Sequence, residues 1–199
     1  MGYSTLLDIL GSIIIGGILL TIVFRLSGAA TEKTYNNSGE LSLQQNLSTI
    51  AQIIEHDFRK IGYCADWNKL PDPTKAILLA ETSGIKYLTD IEADGNLDSI
   101  YYYLGPTSEL TVTPNPRDRI LYRIVNGENP VQANLGVTQF HMVYYDALGD
   151  TVYLPIANYG LISSIEINVT VDNVAAYDTS YSKAYWRQIR MVSRNLINR

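Results

Sequence analysis

Cysteine and histidine are scarce in this chain of 199 residues, which contains only Cys64, His56 and His141. A single cysteine permits no intrachain disulfide, so the fold must depend on packing even in an oxidising compartment. The two histidines are not spaced like zinc ligands with the cysteine, and we expect structural roles for both. A nucleophile elbow, a phosphate-binding loop and a dinucleotide fingerprint are also lacking. We therefore expect that the protein is not an enzyme.

Charge is also sparse: charged residues make up 18% of the chain and the net charge is −5. This balance argues against nucleic acid as the main partner. The exception is a basic C-terminal stretch, which reads either as a nucleic-acid patch or as the solvated face of an edge strand, where charge discourages aggregation. We favour the edge strand. The residues concerned are Arg187, Arg190, Arg194 and Arg199.

What the chain does contain is a nearly uncharged apolar run from Tyr3 to Leu26, interrupted by Asp8. Its length matches a helix that crosses the roughly 30 Å hydrocarbon core of a bilayer. A cleaved signal peptide is the alternative, and the small residues 27–30 resemble a cleavage site. However, the run is too long and no basic residues precede it. We therefore predict a retained transmembrane segment at residues 1–26.

Asp8 is the lone carboxylate in this apolar run. A carboxylate inside a bilayer costs roughly 2.5–3.5 kcal/mol on insertion scales and needs a partner. Two interpretations stay open: Asp8 lies at the level of the lipid headgroups, or it pairs with a positive group on another subunit.

Residues 27–39 are small and polar, which predicts a break in the helix. An amphipathic helix is expected over residues 40–62, with Asn37 as its cap, Glu40 as the partner of that cap, and Gly62 as its end. The apolar residues of this segment recur every three or four positions, so they form one stripe that packs on a core. The stripe consists of Leu43, Leu47, Ile50, Ile54, Phe58 and Ile61.

Residues 63–199 contain short β-like runs separated by turn residues, and no helix of crossover length lies between them. The fold class is therefore predicted as α+β: a long N-terminal helix packed on an antiparallel β-sheet in a globular head. Fifteen tyrosines against three phenylalanines suit a head whose rings lie half in the core and half in water. The predicted strands are Ser99 to Leu104, Ile120 to Val125, Thr138 to Tyr145, Thr151 to Pro155, Ser163 to Val171 and Arg187 to Leu196.

Several local motifs resemble those of one family. The start, Gly2-Tyr3-Ser4-Thr5-Leu6-Leu7-Asp8, resembles a prepilin processing site, and Ile53 to Cys64 (IIEHDFRKIGYC) resembles the stretch that closes the family's long helix. On these motifs the chain resembles the type IV pilin and type II secretion pseudopilin superfamily, most closely PilW-like minor pilins and J-type pseudopilins. Strand signatures follow in the family's order: Asp98-Ser99-Ile100, Leu121-Tyr122-Arg123, Gly136 to Phe140, Tyr144 to Gly149 and Arg194-Asn195-Leu196.

The resemblance implies a pilin-like fold, cleavage between Gly2 and Tyr3 by a prepilin peptidase, and N-methylation of the new terminus. It also implies that Asp8 is the assembly charge, which pairs with the N-terminal amine of a neighbour. Two features depart from the family's pattern. The family carries a glutamate at the fifth residue after cleavage, whereas Asp8 is the sixth, and the leader Met1-Gly2 is very short and lacks a basic residue.

The function implied is that of a structural subunit of a type IV pilus-like filament or secretion pseudopilus. Its partners would be other pilin-like subunits, the membrane and the assembly machinery. The expected location is the bacterial inner membrane, with the head in the periplasm or outside, although Arg25 and Lys33 after the span favour the opposite orientation under the positive-inside rule. The alternative is a monomeric membrane-anchored envelope protein whose outer domain binds a ligand or polysaccharide.

An acidic segment between the helix and the first predicted strand is the one candidate metal site. The residues Asp90, Glu92, Asp94 and Asp98, with Gly95 after the third acid, resemble the first half of a calcium loop. Tyr101 stands where the bidentate glutamate would be expected. We therefore interpret the segment as a turn and expect no cofactor, with calcium as the alternative.

Overall fold

A computed structural model describes residues 2–174 and 181–191 of the chain. In these residues one α-helix, α1 (Gly2–Arg59), is followed by eight strands and three short 3₁₀ helices (Pro73–Lys75, Thr107–Glu109 and Tyr159–Leu161). The strands are β1 (Ile77–Ala80), β2 (Gly84–Thr89), β3 (Asp98–Leu104), β4 (Arg119–Val125), β5 (Val131–Tyr145), β6 (Thr151–Val152), β7 (Ser164–Asp172) and β8 (Lys183–Met191).

All the strand pairs are antiparallel, as short connections between consecutive strands require. The sheet has the order β1-β2-β3-β4-β5-β7-β8, and β6 pairs with β5 beside this path. The predicted α+β class is confirmed. In the described part of the chain β8, which contains Arg187 and Arg190, lies at one edge of the sheet.

The predicted strands are found with shifted bounds, and two strands were missed. β1 and β2 are short, and their apolar residues do not stand out as a period-two run. β5 begins at Val131, seven residues earlier than the predicted Thr138. Gly136, with a φ of 73°, joins the two parts of this strand where its pairing with β4 shifts in register. β6 ends at Val152, before the predicted Pro155. The last strand begins at Lys183. The predicted extension of this strand to Leu196, which contains Arg194, lies outside the described residues, and so does Arg199.

The predicted break at residues 27–39 is wrong, because α1 is continuous from Gly2 to Arg59. Alanine, glutamate and lysine in this stretch are good helix formers. The threonine hydroxyls bond back into the helix: Thr31 Oγ1 donates to Ser27 O at 2.9 Å and Thr34 Oγ1 to Ala30 O at 2.9 Å. The helix start predicted at Asn37, with Glu40 as its partner, is therefore also wrong.

The apolar stripe of α1 is confirmed, since all six predicted residues are buried in the core. The helix lies against β5, β7 and β8, whose inward side chains include Phe140, Ile167 and Val169. At the C-terminal end the helix stops at Arg59 and a turn follows. There Gly62 adopts a φ of 73° and donates its N–H to Leu88 O at 3.0 Å, which starts the chain along the sheet.

Two neighbouring isoleucines test this packing. Ile54 is 1% exposed and Ile53 is 44% exposed, although they are the same residue type on the same helix. We expect Ile54→Asp to unfold the head, since burying an unpaired charge costs several kcal/mol in a domain of ordinary marginal stability. The matched variant Ile53→Asp should change the melting temperature by only a few degrees. Thermal melts of the two variants make the comparison, and equal melts would show that α1 does not pack on the sheet.

Candidate functional site

The N-terminal part of α1 is apolar and lies outside the head. An 18-residue window in this helix has a mean hydropathy of 2.4 and none of it is buried. The first helix residue that is buried in the core is Leu43. About 41 residues therefore precede the first buried residue, which corresponds to about 60 Å of helix at 1.5 Å per residue. The large apolar side chains exposed here include Leu6, Ile9, Ile13, Leu19, Val23 and Phe24.

The hydroxyl groups in this segment are satisfied within the helix. Ser12 Oγ donates to Asp8 O at 2.7 Å, and Thr21 Oγ1 donates to Gly17 O at 2.8 Å. Bonds of this kind let serine and threonine lie in an apolar environment without a partner outside the helix. Asp8 differs, because no other side chain in the described residues pairs with its carboxylate.

The possible processing residues lie at the start of the helix. Gly2 and Tyr3 are both exposed, and Tyr3 is 83% exposed. The carbonyl of Gly2 accepts a hydrogen bond from Thr5 Oγ1 at 3.0 Å. Gly2 and Tyr3 lie one to two helical turns before Asp8. The structure shows no contact between either residue and the Asp8 side chain.

The helix enters the head at Gly39, where the side-chain amide of Asn173 packs close to the helix backbone. A Cβ atom at this position would collide with the side-chain amide of Asn173, just after β7. Seven residues further on, Asn46 Nδ2 donates to Leu135 O at 3.3 Å. The Gly39 contact precedes the apolar stripe and the Asn46 contact lies within it, and together they tie α1 to β5 and to the end of β7.

A buried polar cluster joins the other end of α1 to the sheet. Tyr102 OH donates to Asp57 Oδ2 at 2.6 Å, and Arg123 Nε donates to the same oxygen at 2.7 Å. His56 Nδ1 lies 3.1 Å from Asp57 Oδ1. Burial alone would raise the pKa of Asp57, but the hydrogen bonds from Arg123 and Tyr102 outweigh it and hold the pKa below its usual value. This cluster positions the helix end and was not identified from the sequence.

The sequence offered a weak signal for this cluster. Asp57 interrupts the apolar side of the helix next to Phe58, and an acid at such a position needs a buried partner. Its partners come from β3 and β4, more than forty residues away, so the sequence alone did not indicate which cation or hydroxyl it meets. His56 is exposed, as is His141, which is on the opposite sheet face.

The acidic segment 90–98 forms a turn that its own carboxylates hold together. Asp90 is buried and accepts hydrogen bonds from the N–H groups of Ala65 (3.0 Å), Asp94 (3.1 Å) and Gly95 (2.8 Å). Burial opposes ionisation of Asp90, but these donors outweigh it and lower its pKa. The carboxylate is therefore used as a backbone cap.

The other acids of this segment are also engaged or exposed. The Asp98 carboxylate accepts hydrogen bonds from Ile91 N at 3.1 Å and from Asn126 Nδ2 at 2.7 Å. The Asp94 carboxylate accepts one from Asn96 N at 2.8 Å. Glu92 is exposed. Among residues 2–174 and 181–191, no three histidine, cysteine, aspartate or glutamate side chains are grouped so that they could hold a metal ion. The structure thus uses Asp90, Asp94 and Asp98 to hold the turn and leaves Glu92 exposed.

The sheet face opposite α1 carries a stack of tyrosine rings. The rings of Tyr101 and Tyr103 lie 5.0 Å apart, and those of Tyr103 and Tyr122 lie 4.7 Å apart with an interplanar angle of 15°. Tyr122 OH donates to Glu109 Oε2 at 2.8 Å. On the same side, a groove of about 530 Å³ is lined by residues that include Arg117, His141 and Tyr185.

Comparison with protein-family models, with curated proteins and with solved structures finds no match to this chain. The architecture itself, a long apolar N-terminal helix packed on an antiparallel sheet, is compatible with a pilin-like fold. The helix is long and apolar enough to serve as a membrane anchor or a signal sequence.

The Asp57 cluster predicts a specific pH dependence. Because the folded pKa of Asp57 is depressed, its contribution to stability is present above the unfolded value near 3.8 and is lost as the pH falls through the folded pKa. We expect Asp57→Asn to lower the free energy of unfolding by about 3 kcal/mol at pH 7. This difference from the wild type should shrink below pH 4.

The matched control is Glu55→Gln, which removes an exposed ion pair with Arg59 on the same helix. It should cost less than about 1 kcal/mol at any pH. Denaturant titrations at pH 7 and at pH 3 measure both variants. A penalty for Asp57→Asn that stays constant between these pH values would contradict the assigned role of the carboxylate.

Proposed function

We propose that this protein is a structural subunit of a type IV pilus-like filament or secretion pseudopilus. In this proposal α1 anchors the protein in the membrane before assembly, and polymerisation occurs through lateral packing of the apolar part of α1. The observation that carries the proposal is the helix itself, which is continuous over 58 residues and changes from apolar on all sides to amphipathic where it meets the head.

The exposed apolar surface supports this proposal because a helix that is hydrophobic all round is normally covered. A lipid bilayer provides one cover, and neighbouring helices of the same kind provide another. Exchange of lipid for equally apolar protein costs little hydrophobic free energy, since lipid chains and leucine side chains are similar solvents. One segment can therefore serve both as the stored anchor and as the core of a filament.

Continuity of α1 supports the same proposal. The head is tied to the helix at Gly39, along the buried stripe and again at Asp57. A subunit placed by its apolar segment would therefore carry its head in a set orientation. A break in the helix at residues 27–39, as predicted from the sequence, would not transmit that orientation.

Asp8 has a defined part in this proposal. Its carboxylate is unpaired among the described residues and lies in the apolar segment, so an opposite charge on a neighbour would remove the cost of burying it. Under the resemblance to pilins, that charge is the N-terminal amine created by cleavage between Gly2 and Tyr3. Methylation, the inner-membrane location and the outward orientation of the head belong to the same proposal.

A second candidate function is that of a monomeric membrane-anchored envelope protein whose head binds a ligand or polysaccharide. The stacked rings of Tyr101, Tyr103 and Tyr122 are the observation that favours it, because flat aromatic surfaces are common in binding sites. Filaments that contain the protein, or its co-purification with other pilin-like chains, would favour the structural subunit. A pure monomer in the native membrane would favour the envelope protein.

The variant Asp8→Ala tests the structural-subunit proposal. It should leave the head folded and the protein in the membrane, but reduce its incorporation into filaments by about tenfold or more, since about 1.4 kcal/mol of lost pairing corresponds to a factor of ten. Membrane fractionation and quantification of the protein in sheared filaments measure the two effects. Glu32→Ala, which removes an exposed carboxylate outside the apolar run, is the matched control and should assemble normally. Normal assembly of Asp8→Ala would eliminate charge pairing.

A further inference from the structure

Two buried acids meet where the loop before β4 contacts the end of β7. Asp118 is 1% exposed and Asp172 is 2% exposed. Of their four carboxylate oxygens, three have no hydrogen-bond donor among the described residues: both oxygens of Asp118 and Oδ1 of Asp172. Buried carboxylate oxygens are normally satisfied by donors, by water or by a bound ion, so these three atoms require an explanation.

Among the described residues, Arg117 is the cation that forms an ion pair with these acids, and it pairs with Asp172. Arg117 donates twice to Asp172 Oδ2, from Nε at 2.9 Å and from Nη2 at 2.7 Å, and this satisfies one oxygen of one acid. Lys183 is opposite Asp172 in the register of β7 and β8, but it is exposed. Burial raises the pKa of Asp118, a nearby Thr113 hydroxyl lowers it, and the charge of Asp172 raises it further.

The loop does not use the Asp118 carboxylate to hold its shape. Asn115, which is fully buried, accepts from Arg117 N at 3.1 Å through its side-chain oxygen and donates to Asn173 O at 3.2 Å. The carbonyl of Asn115 accepts from Asp118 N at 3.2 Å. This is the reverse of the acidic segment 90–98, where the Asp90 carboxylate accepts three backbone N–H groups. By distance and angle the Asp118 oxygens accept no hydrogen bond from the described residues, and the nearby Thr113 Oγ1 donates to Leu110 O at 3.0 Å.

We propose that Asp118 and Asp172 bind a calcium ion through these three unpartnered oxygens. The donors are all hard oxygen atoms, which suit Ca²⁺, and its flexible coordination of six to eight oxygens allows water to complete the shell. A site with two carboxylates corresponds to weak affinity, of order 10⁻⁴–10⁻³ M, as in extracellular calcium modules. The groove on the open sheet face is lined by Asp172 and Arg117 and provides a route for the ion from solvent.

The position of this site gives the ion a structural role. Asn173, next to Asp172, contacts α1 at Gly39. A calcium ion between Asp118 and Asp172 therefore ties the loop before β4 to the strand end that receives the helix. This role does not depend on the proposed function.

The test uses the full chain in detergent, freed of metal with a chelator, and thermal melts with and without calcium chloride. The wild type should melt about 5–10 °C higher when calcium exceeds its Kd by about 100-fold. Asp118→Asn should lose this rise. Without calcium it should melt at or above the wild-type temperature, because it removes an unpaired buried acid. Magnesium chloride at the same concentration should give a smaller rise, since Mg²⁺ gives up its water reluctantly.

Asp94→Asn, in the other acidic segment, is the control and should keep the full calcium response. Titration calorimetry of the wild type with calcium chloride should show one site that is missing in Asp118→Asn. The absence of both a melting rise and a binding heat in the wild type would overturn the proposal without reference to any variant. An equal rise in all three proteins, or a rise lost only in Asp94→Asn, would also overturn it.

Discussion

The rest of the structure depends on how α1 divides its surface between two environments. From Leu43 onward one side of the helix is covered by β5, β7 and β8, and each large apolar side chain buried there contributes about 1.5–3 kcal/mol relative to exposure. Before Leu43 the helix has no such cover within the chain. The same helix therefore forms one wall of the core near its C-terminal end and an uncovered apolar segment, up to Leu26, at its N-terminal end. Any function of this protein has to provide a cover for this apolar segment.

Polar contacts decide where the helix lies, while apolar contacts supply most of the stabilisation. Burial of Ile54 or Phe58 is non-directional, so it does not by itself choose a position along the sheet. The bonds from Tyr102 and Arg123 to Asp57 are directional, and a shift of the helix would leave a buried charge unpaired. At the other end, the side-chain amide of Asn173 packs against the helix at Gly39. The two ends together set the register of α1 against the head.

The two acidic regions differ in whether their carboxylate oxygens already accept hydrogen bonds. The segment 90–98 contains four acids within nine residues, yet Asp90 and Asp98 accept hydrogen bonds that hold the turn and the strands beside it. Asp118 and Asp172 are 54 positions apart in sequence, and three of their four oxygens accept no hydrogen bond from the described residues. What matters is whether the carboxylate oxygens are already occupied by donors, and only the folded chain shows this.

By itself, the sequence determined the features that arise from local pattern. The apolar run before Leu26 determined a helix able to cross a membrane, and the spacing from Leu43 to Ile61 determined which helix face is buried, because a helix repeats every 3.6 residues. Turn residues such as Gly127 and Gly149 separated most of the strands, and the short connections made the sheet antiparallel. The tertiary structure decided what depends on residues distant in sequence: the continuity of α1 through residues 27–39, the strands β1 and β2, and the partners of Asp57 and Asp118. Local propensity in those places is too weak or too short to choose a conformation, so contacts across the sheet make the choice.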